Sequence, residues 1–235
     1  MPPDSFAKRA HLTELMDEPA SYEEFRDCLR DLAKVNRTVL GYRPTLAWLQ
    51  QFAGPRSAPL HIVDAGCGGG DTLREIELWA RRIRLPVRLT GIDISPHAAQ
   101  AARELIGSDT SIEFVRANIF DWQPTAPVDL VISALFTHHL ADAEIILFLR
   151  WMKRTALRGW FINDLSRGQV SYYIFALLAR LMRWHPFVIH DGPVSIRRSF
   201  RPEDWQRYIA DAGLDARAIE IASAWPGRLC VGRVK

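Results

Sequence analysis

The sequence predicts an α/β protein with a mostly parallel sheet, helices on both faces, a C-terminal antiparallel hairpin and an N-terminal helical extension. From residue 60 onward, short apolar runs alternate with amphipathic segments of helical period, which is typical of a parallel sheet covered by helices. This alternation ends near residue 200, where one helix is followed by two strand-like runs separated by Trp225-Pro226-Gly227. Before residue 55 the pattern is helical instead. These three observations define the predicted fold class.

The predicted domain organisation is a helical cap over residues 1–55 and a core domain over residues 56–235. Ser21 and Glu24 have the spacing of a capping box, which predicts the start of the longer helix in the cap. A second helical stretch follows and ends before Gly54-Pro55, a pair that breaks regular structure.

The core domain has seven predicted strands, each a short run rich in apolar residues. In chain order they are Leu60–Ala65, Val87–Asp93, Ile112–Arg116, Asp129–Ser133, Trp160–Asn163, Ala216–Ile221 and Arg228–Val234. The segments between them have apolar residues at helical spacing or helix-start signals. The predicted core helices are Asp71–Arg84, Pro96–Ile106, Ala141–Thr155 and Pro202–Ala212.

Composition argues against several classes of function. With 30 basic and 27 acidic residues the net charge is only +3, and no extended basic stretch is interleaved with aromatic residues. Nucleic acid is therefore not an expected partner. Cys28, Cys67 and Cys230 lie far apart, so the sequence predicts neither a disulfide framework nor a metal site. Because no secretion signal and no run long enough to span a bilayer is found, we expect a soluble, cytoplasmic protein, with contact to a membrane surface left open.

A glycine-rich turn follows the first predicted strand in the segment Asp64-Ala-Gly-Cys-Gly-Gly-Gly-Asp71. Glycines let the backbone turn sharply and approach a ligand closely. A dinucleotide fingerprint requires glycine where Asp71 stands, and a carboxylate at that helix start would repel a pyrophosphate. A phosphate-loop motif fails as well, because no Gly-Lys-Ser/Thr follows. S-adenosylmethionine (SAM) carries no phosphate, and Asp64 is placed to stabilise its ammonium group.

Polar side chains also follow the next two predicted strands. Asp93 ends the second strand, where a carboxylate can accept hydrogen bonds from both hydroxyls of a ribose. The alternative is that Asp93 caps the next helix, since Ser95-Pro96 follows it. Asn118 comes after the third strand and can bond the adenine amino edge while Ile119 packs on the ring. A turn-forming asparagine is the alternative there.

Together the three motifs, at residues 64–71, 91–93 and 117–121, resemble the class I SAM-dependent methyltransferases over about residues 55–165. The resemblance implies a Rossmann-like fold, SAM as cofactor and S-adenosylhomocysteine (SAH) as product. The cofactor-binding residues that we predict on this basis are Asp64, Gly66, Cys67, Gly68, Asp93, Ile94, Asn118, Ile119, Ser133 and Phe136.

Candidate catalytic residues follow the fourth and fifth predicted strands, at the sheet end where the methyl group is expected. His138 or His139 would serve as general base for a hydroxyl acceptor, because histidine titrates near neutrality. The alternative is that these histidines cap or pack at the start of the next helix. Asp164, which ends the fifth strand, would orient an acceptor, pair with a histidine or cap a loop.

An apolar insert separates the fifth strand from the last helix. Residues 172–178 are apolar nearly all round, so protein, acceptor or a membrane surface must cover them. We predict that residues 168–200 form a lid over a hydrophobic acceptor, with ordinary core packing as the alternative. The predicted acceptor contacts are Tyr172, Tyr173, His190 and Arg197.

The predicted function is methyl transfer from SAM to a small apolar or aromatic metabolite, at a hydroxyl oxygen. The histidine loop and the apolar insert are similar to those of methyltransferases of quinone and phenolic-lipid metabolism, which places the reaction in secondary metabolism. The alternatives are an RNA methyltransferase, a non-catalytic SAM-binding partner protein and an NAD-dependent reductase, the last disfavoured by Asp71.

Overall fold

The computed structural model describes residues 6–55, 57–107 and 109–234. The first five residues of the predicted cap and residues 56, 108 and 235 lie outside this part. The helices within it are α1 (Tyr22–Thr38), α2 (Arg43–Leu49), α3 (Asp71–Arg82), α4 (Ala98–Ile106), α5 (Asp142–Thr155), α6 (Gln169–Leu181), α7 (Pro186–Arg198) and α8 (Pro202–Asp211). The strands are β1 (Leu60–Ala65), β2 (Val87–Asp93), β3 (Glu113–Arg116), β4 (Val128–Ala134), β5 (Ala156–Leu165), β6 (Glu220–Ala224) and β7 (Arg228–Val234).

The strands form one sheet in the order β3-β2-β1-β4-β5-β7-β6, seven strands within the described residues. The first five are parallel, and β7 pairs antiparallel with both β5 and β6. The predicted fold class is confirmed. Chain order reverses between β1 and β4, so the carboxyl ends of these strands border the crevice where ligands bind in such sheets.

Two apolar cores cover the two faces of this sheet. One face packs on α5 and α8 through residues such as Phe148, Met152 and Trp205, each at most 1% exposed. The other packs on α2, α3 and α4 through Leu49 and Leu73. Burying one such large side chain contributes about 1.5–3 kcal/mol, so both cores hold the strand ends rigidly in place.

Two sequence-based expectations about secondary structure are wrong. The sixth strand was expected at residues 216–221 but runs from Glu220 to Ala224, because Ala216–Ala218 form a 3-10 turn instead. The Asp215 carboxylate accepts a hydrogen bond from the Arg217 amide in this turn, and such a local bond competes with strand pairing. Residues 6–20 are largely non-helical, with a 3-10 turn at Leu15–Asp17, although a helical cap was predicted there.

The N-terminal arm (residues 6–20), α1, α6 and α7 all pack at the carboxyl end of the parallel strands. Leu29 of α1 lies against the glycine turn, 3.4 Å from the position that a Cβ of Gly68 would take. Helix α6 exposes several apolar side chains, which are Val170, Tyr173, Ile174, Leu177 and Leu181, and Met182 directly after the helix is exposed as well. Within the described residues, no helix has the length and apolar character needed to cross a membrane.

Candidate active site

The glycine turn joins β1 to α3 in a conformation that glycine alone adopts easily. Gly66, Gly68 and Gly70 have φ angles of 72°, 49° and 71°, in the left-handed region. A Cβ on Gly66 would also lie 2.3 Å from the ring of Phe136. The Gly66 amide donates to the Ile92 carbonyl oxygen at 2.9 Å, which ties the turn to β2. The turn therefore offers a ligand a binding surface of fixed conformation.

Asp64 is a buried carboxylate with an unsatisfied oxygen beside this turn. It is 1% exposed, and its Oδ1 has no hydrogen-bond partner among the described residues. Burial, together with the charges of Asp71 and Asp93, raises the pKa of Asp64 well above its ordinary value. An oxygen held this way is expected to receive a charged donor from a ligand. The ammonium group of SAM is such a donor, so the predicted cofactor fits this position.

Asp93 lies at the end of β2 and holds the glycine turn. Its Oδ2 accepts from the Gly68 amide at 2.8 Å, and its Oδ1 accepts from the Ser95 amide at 2.9 Å. Burial raises the pKa of Asp93, although these backbone hydrogen bonds lower it. Each carboxylate oxygen has a second lone pair that remains for a ribose hydroxyl. The neighbouring Ile94 is 66% exposed, which leaves an apolar surface at the edge of the crevice.

The other predicted cofactor residues differ in how they face the crevice. The Asn118 oxygen accepts from the Phe120 amide at 3.0 Å, the turn geometry that was considered as the alternative, while Ile119 is buried. The Ser133 hydroxyl donates to the Ala65 carbonyl oxygen at 2.9 Å and so braces β1 against β4. The Cys67 thiol points into the core, towards Gly91. Contacts of these residues with the cofactor stay predictions.

His138 and Asp164 form a buried pair at the carboxyl ends of β4 and β5. His138 Nδ1 lies 2.7 Å from Asp164 Oδ1, and the two residues are 3% and 0% exposed. The other Asp164 oxygen accepts from the His138 amide and the Thr137 hydroxyl. Burial alone would raise the pKa of Asp164, but the charge and hydrogen bond of His138 hold it well below the usual range. Because the Asp164 carboxylate can only accept, Nδ1 of His138 donates to it, and in the neutral ring Nε2 carries the lone pair.

The N-terminal arm brings further charged groups to these histidines. His138 Nε2 and His139 Nε2 each lie 3.8 Å from a carboxylate oxygen of Glu14. His139 Nδ1 is 2.9 Å from an oxygen of Asp17. The guanidinium of Arg198 lies 3.3 Å from Glu14 and 2.7 Å from Asp17, and it balances part of their charge. Burial raises the pKa of Glu14, while His139 and Arg198 lower it.

A cavity of about 370 Å³ opens beside this cluster. Most of its wall is apolar and comes from α1, α6 and α7. Its polar lining includes Glu14, Asn36, His138, His139, Asp191 and Arg228. Because the cavity adjoins the histidines at the active end of the sheet, it is the candidate acceptor site.

The four predicted acceptor contacts lie elsewhere, since none of them is among the residues that line this cavity. Tyr172 packs edge-on against Phe6, and Tyr173 is 54% exposed. The His190 side chain is 50% exposed and bonds its neighbour Asp191. The face of α6 towards the cavity instead presents Phe175 and Leu178. Because α6 is apolar nearly all round, the sequence could not indicate which of its sides faces this cavity. Contact of these four residues with an acceptor stays a prediction.

Sequence reasoning also missed several polar residues of the site, namely Glu14, Asp17, Asn36, Arg198 and Arg228. Most of them reach the histidines or the cavity from segments distant in sequence. His139 and Asp17, for example, are separated by 122 positions. The one local signal was a charged residue, Arg228, directly before the apolar run Leu229-Cys230-Val231.

Comparison with known proteins supplies independent information on this site. Residues 62–159 match the family model described as a methyltransferase domain. A trans-aconitate 2-methyltransferase from Acidovorax ebreus (strain TPSY) is 29% identical over 175 residues, which cover 74% of this chain and 59% of that protein. The chain spans less than two thirds of the length of the curated relatives that it matches first.

Two solved structures show the same fold. Human N-acetylserotonin methyltransferase in complex with SAM aligns with a TM-score of 0.58 at 19% identity, over 92% of this chain and 56% of that one. Magnesium protoporphyrin IX methyltransferase from Synechocystis PCC 6803 with bound SAH aligns with a TM-score of 0.54 at 14% identity. That alignment covers 99% of this chain and 91% of the other. At these identities the likeness concerns the fold alone.

Proposed function

We propose that the chain is a class I SAM-dependent methyltransferase that transfers the methyl group of SAM to an oxygen of a small metabolite, since residues 62–159 match the model of a methyltransferase domain. The observation that carries the proposal is the adjacency of two features. The glycine turn with its unsatisfied Asp64 oxygen and the cavity lined by His138 both lie at the carboxyl end of the parallel strands. One can hold the donor and the other the acceptor.

When bound, SAM would supply an electrophilic methyl group, whose carbon a nucleophile attacks in line while the carbon–sulfur bond breaks and SAH leaves. Asp64 is proposed to pair with its ammonium group and Asp93 to accept from its ribose hydroxyls. Ile94 and Ile119 would cover the adenine ring, since one is exposed beside the crevice and the other lies in its wall. These side chains orient the donor, and in such displacements positioning supplies much of the rate.

The acceptor is proposed to present a hydroxyl to His138 Nε2. Asp164 accepts from Nδ1 and so fixes the ring of His138, which lines the cavity, and in the neutral ring Nε2 is the nitrogen with the lone pair. As the oxygen attacks the methyl carbon, Nε2 would accept its proton. The largely apolar wall favours an acceptor with an apolar or aromatic body. Helices α6 and α7, with the rest of residues 168–200, would serve as the lid.

The relatives support a small acceptor rather than RNA. They are named trans-aconitate 2-methyltransferases, so the compound they act on is a small organic acid. The cavity of about 370 Å³ suits a compound of such size with an added apolar part. Nothing in the net charge of +3 favours a polyanion.

Calorimetric titration with SAM, SAH and NAD tests the cofactor assignment directly. SAM and SAH are expected to bind one site with a dissociation constant below about 100 μM, and NAD not to bind measurably at that concentration. The Asp93→Ala variant should bind SAH at least about tenfold more weakly, because it loses the ribose contacts. Arg103→Ala, on the exposed side of α4, is the matched control and should bind like the wild type. Binding of NAD without SAH would refute the proposal.

A further inference from the structure

Arg228 is a buried cation in the wall of the candidate acceptor cavity. It is 3% exposed and stands at the start of β7, directly after the turn Trp225-Pro226-Gly227 that also lines the cavity. Its side chain forms one hydrogen bond, from Nη2 to the Asn36 oxygen at 3.0 Å. No carboxylate oxygen of the described residues lies within 4.0 Å of its guanidinium. Asn36 in turn donates to Asp71 at 3.0 Å, which separates Arg228 from the cofactor turn.

Arg167 provides an internal comparison, because it is also buried but has several partners. It donates to three backbone carbonyl oxygens and lies 2.9 Å from the carboxylate of Asp204. Among the described residues the same fold therefore gives one buried arginine four polar partners and the other a single hydrogen bond for its five donors. A buried charge without a partner is costly, so its retention beside a cavity indicates a ligand that supplies the missing anion.

The geometry points to recognition of an acceptor carboxylate by Arg228. A planar guanidinium with free donors matches the two oxygens of a carboxylate, and few other anions combine that match with an apolar body. This inference rests on the proposed function, since it places the acceptor in the same cavity. It adds a substrate class, namely small acids with an apolar portion. Burial lowers the pKa of Arg228, although the more distant charges of Asp164 and Asp71 raise it, and a bound carboxylate would add to their effect.

The test uses the SAH-saturated protein, so that the cofactor site is filled and no turnover occurs. Calorimetry compares 4-phenylbutanoate with its uncharged analogue 4-phenylbutanamide, and trans-aconitate serves as a second acid. The wild type is expected to bind the acid at least about tenfold more tightly than the amide, as charge-assisted hydrogen bonds imply. In Arg228→Met this ratio should fall to about one, and in Arg228→Lys it should be intermediate because the planar fork is lost. The affinity for SAH should change less than about twofold in both variants.

Thermal unfolding separates ligand recognition from a structural role. Arg228→Met removes an unpaired buried charge, so its Tm should equal or exceed that of the wild type. Arg167→Met breaks a satisfied network and should lower Tm by at least about 4 °C. The inference is overturned if neither acid binds better than the amide, or if Arg228→Met keeps the wild-type ratio. Absence of SAH binding to the wild type would instead refute the proposed function.

Discussion

Replacing His138 by alanine is expected to lower kcat by about 10²–10⁴-fold, while the affinity for SAH changes less than twofold. The reason is that His138 alone combines three properties in this site. It is buried, its Nδ1 is held 2.7 Å from Asp164, and it lines the cavity. Asp164→Asn should reduce kcat as well, because an amide no longer selects the ring tautomer with a lone pair on Nε2.

His139 is the matched comparison for this prediction. It is adjacent in sequence and also lines the cavity, but its side chain is 27% exposed and it pairs with Asp17 of the N-terminal arm. His139→Ala should therefore lower kcat by no more than about tenfold, the loss of a positioning contact. His190→Ala, which lies outside the cavity, should leave kcat unchanged. The rates are measured with the acceptor at saturation; a His138→Ala enzyme as fast as His139→Ala would show that no base acts here.

The parts of this molecule that could be predicted are those encoded by neighbouring residues. The strand bearing Asp64 and the turn with Gly66 and Gly68 are local patterns, since a short continuous apolar run and positive φ angles depend on a few consecutive residues. The pairing of Asp164 with a histidine was one of several alternatives. Preferring it required knowing that the ends of β4 and β5 lie side by side, which the sequence alone does not show. A local pattern also gave one wrong prediction, because Ala216–Ala218 form a turn where the start of β6 was expected.

What could not be predicted depends on contacts between distant segments. A carboxylate oxygen of Glu14 lies 3.8 Å from His138 Nε2. Arg228 donates a hydrogen bond to Asn36, which is 192 positions away in the sequence. Such contacts produce no periodic pattern in the sequence, because the charged residues of an irregular arm have the same composition as those of an ordinary solvent-exposed segment. The sequence also could not predict which side of α6 faces the acceptor cavity, because the packing of α6 on α7 at Gly192 determines it. A Cβ there would lie 1.9 Å from the Phe175 ring, so the close approach of the two helices requires that glycine.

Asp64→Asn is expected to stabilise the cofactor-free protein and to weaken SAM binding. In the free protein Asp64 is a buried carboxylate whose Oδ1 has no partner, so a neutral side chain of the same shape removes a destabilising charge. The gain should be about 1–3 kcal/mol in the free energy of unfolding, or a rise in Tm of about 2–10 °C. Loss of the charge-assisted bond to the SAM ammonium group should raise its Kd by about 10–100-fold. Scanning calorimetry and titration measure the two effects.

The pH dependence of thermal stability tests independently whether the charge of Asp64 destabilises the fold. The pKa of Asp64 is raised in the folded state. The Asp64 charge therefore does not destabilise the fold below the unfolded pKa of about 3.9, and the destabilisation grows as pH rises from there towards the folded pKa. The Tm difference between Asp64→Asn and the wild type should thus be near zero at pH 3.5 and larger at pH 7. Asp164→Asn is the opposite case, since the folded pKa of Asp164 is lowered and its charge stabilises the fold above the unfolded value. That variant should lose stability at pH 7, and an Asp64→Asn protein that behaved the same way would mean that the Asp64 carboxylate is already satisfied without SAM.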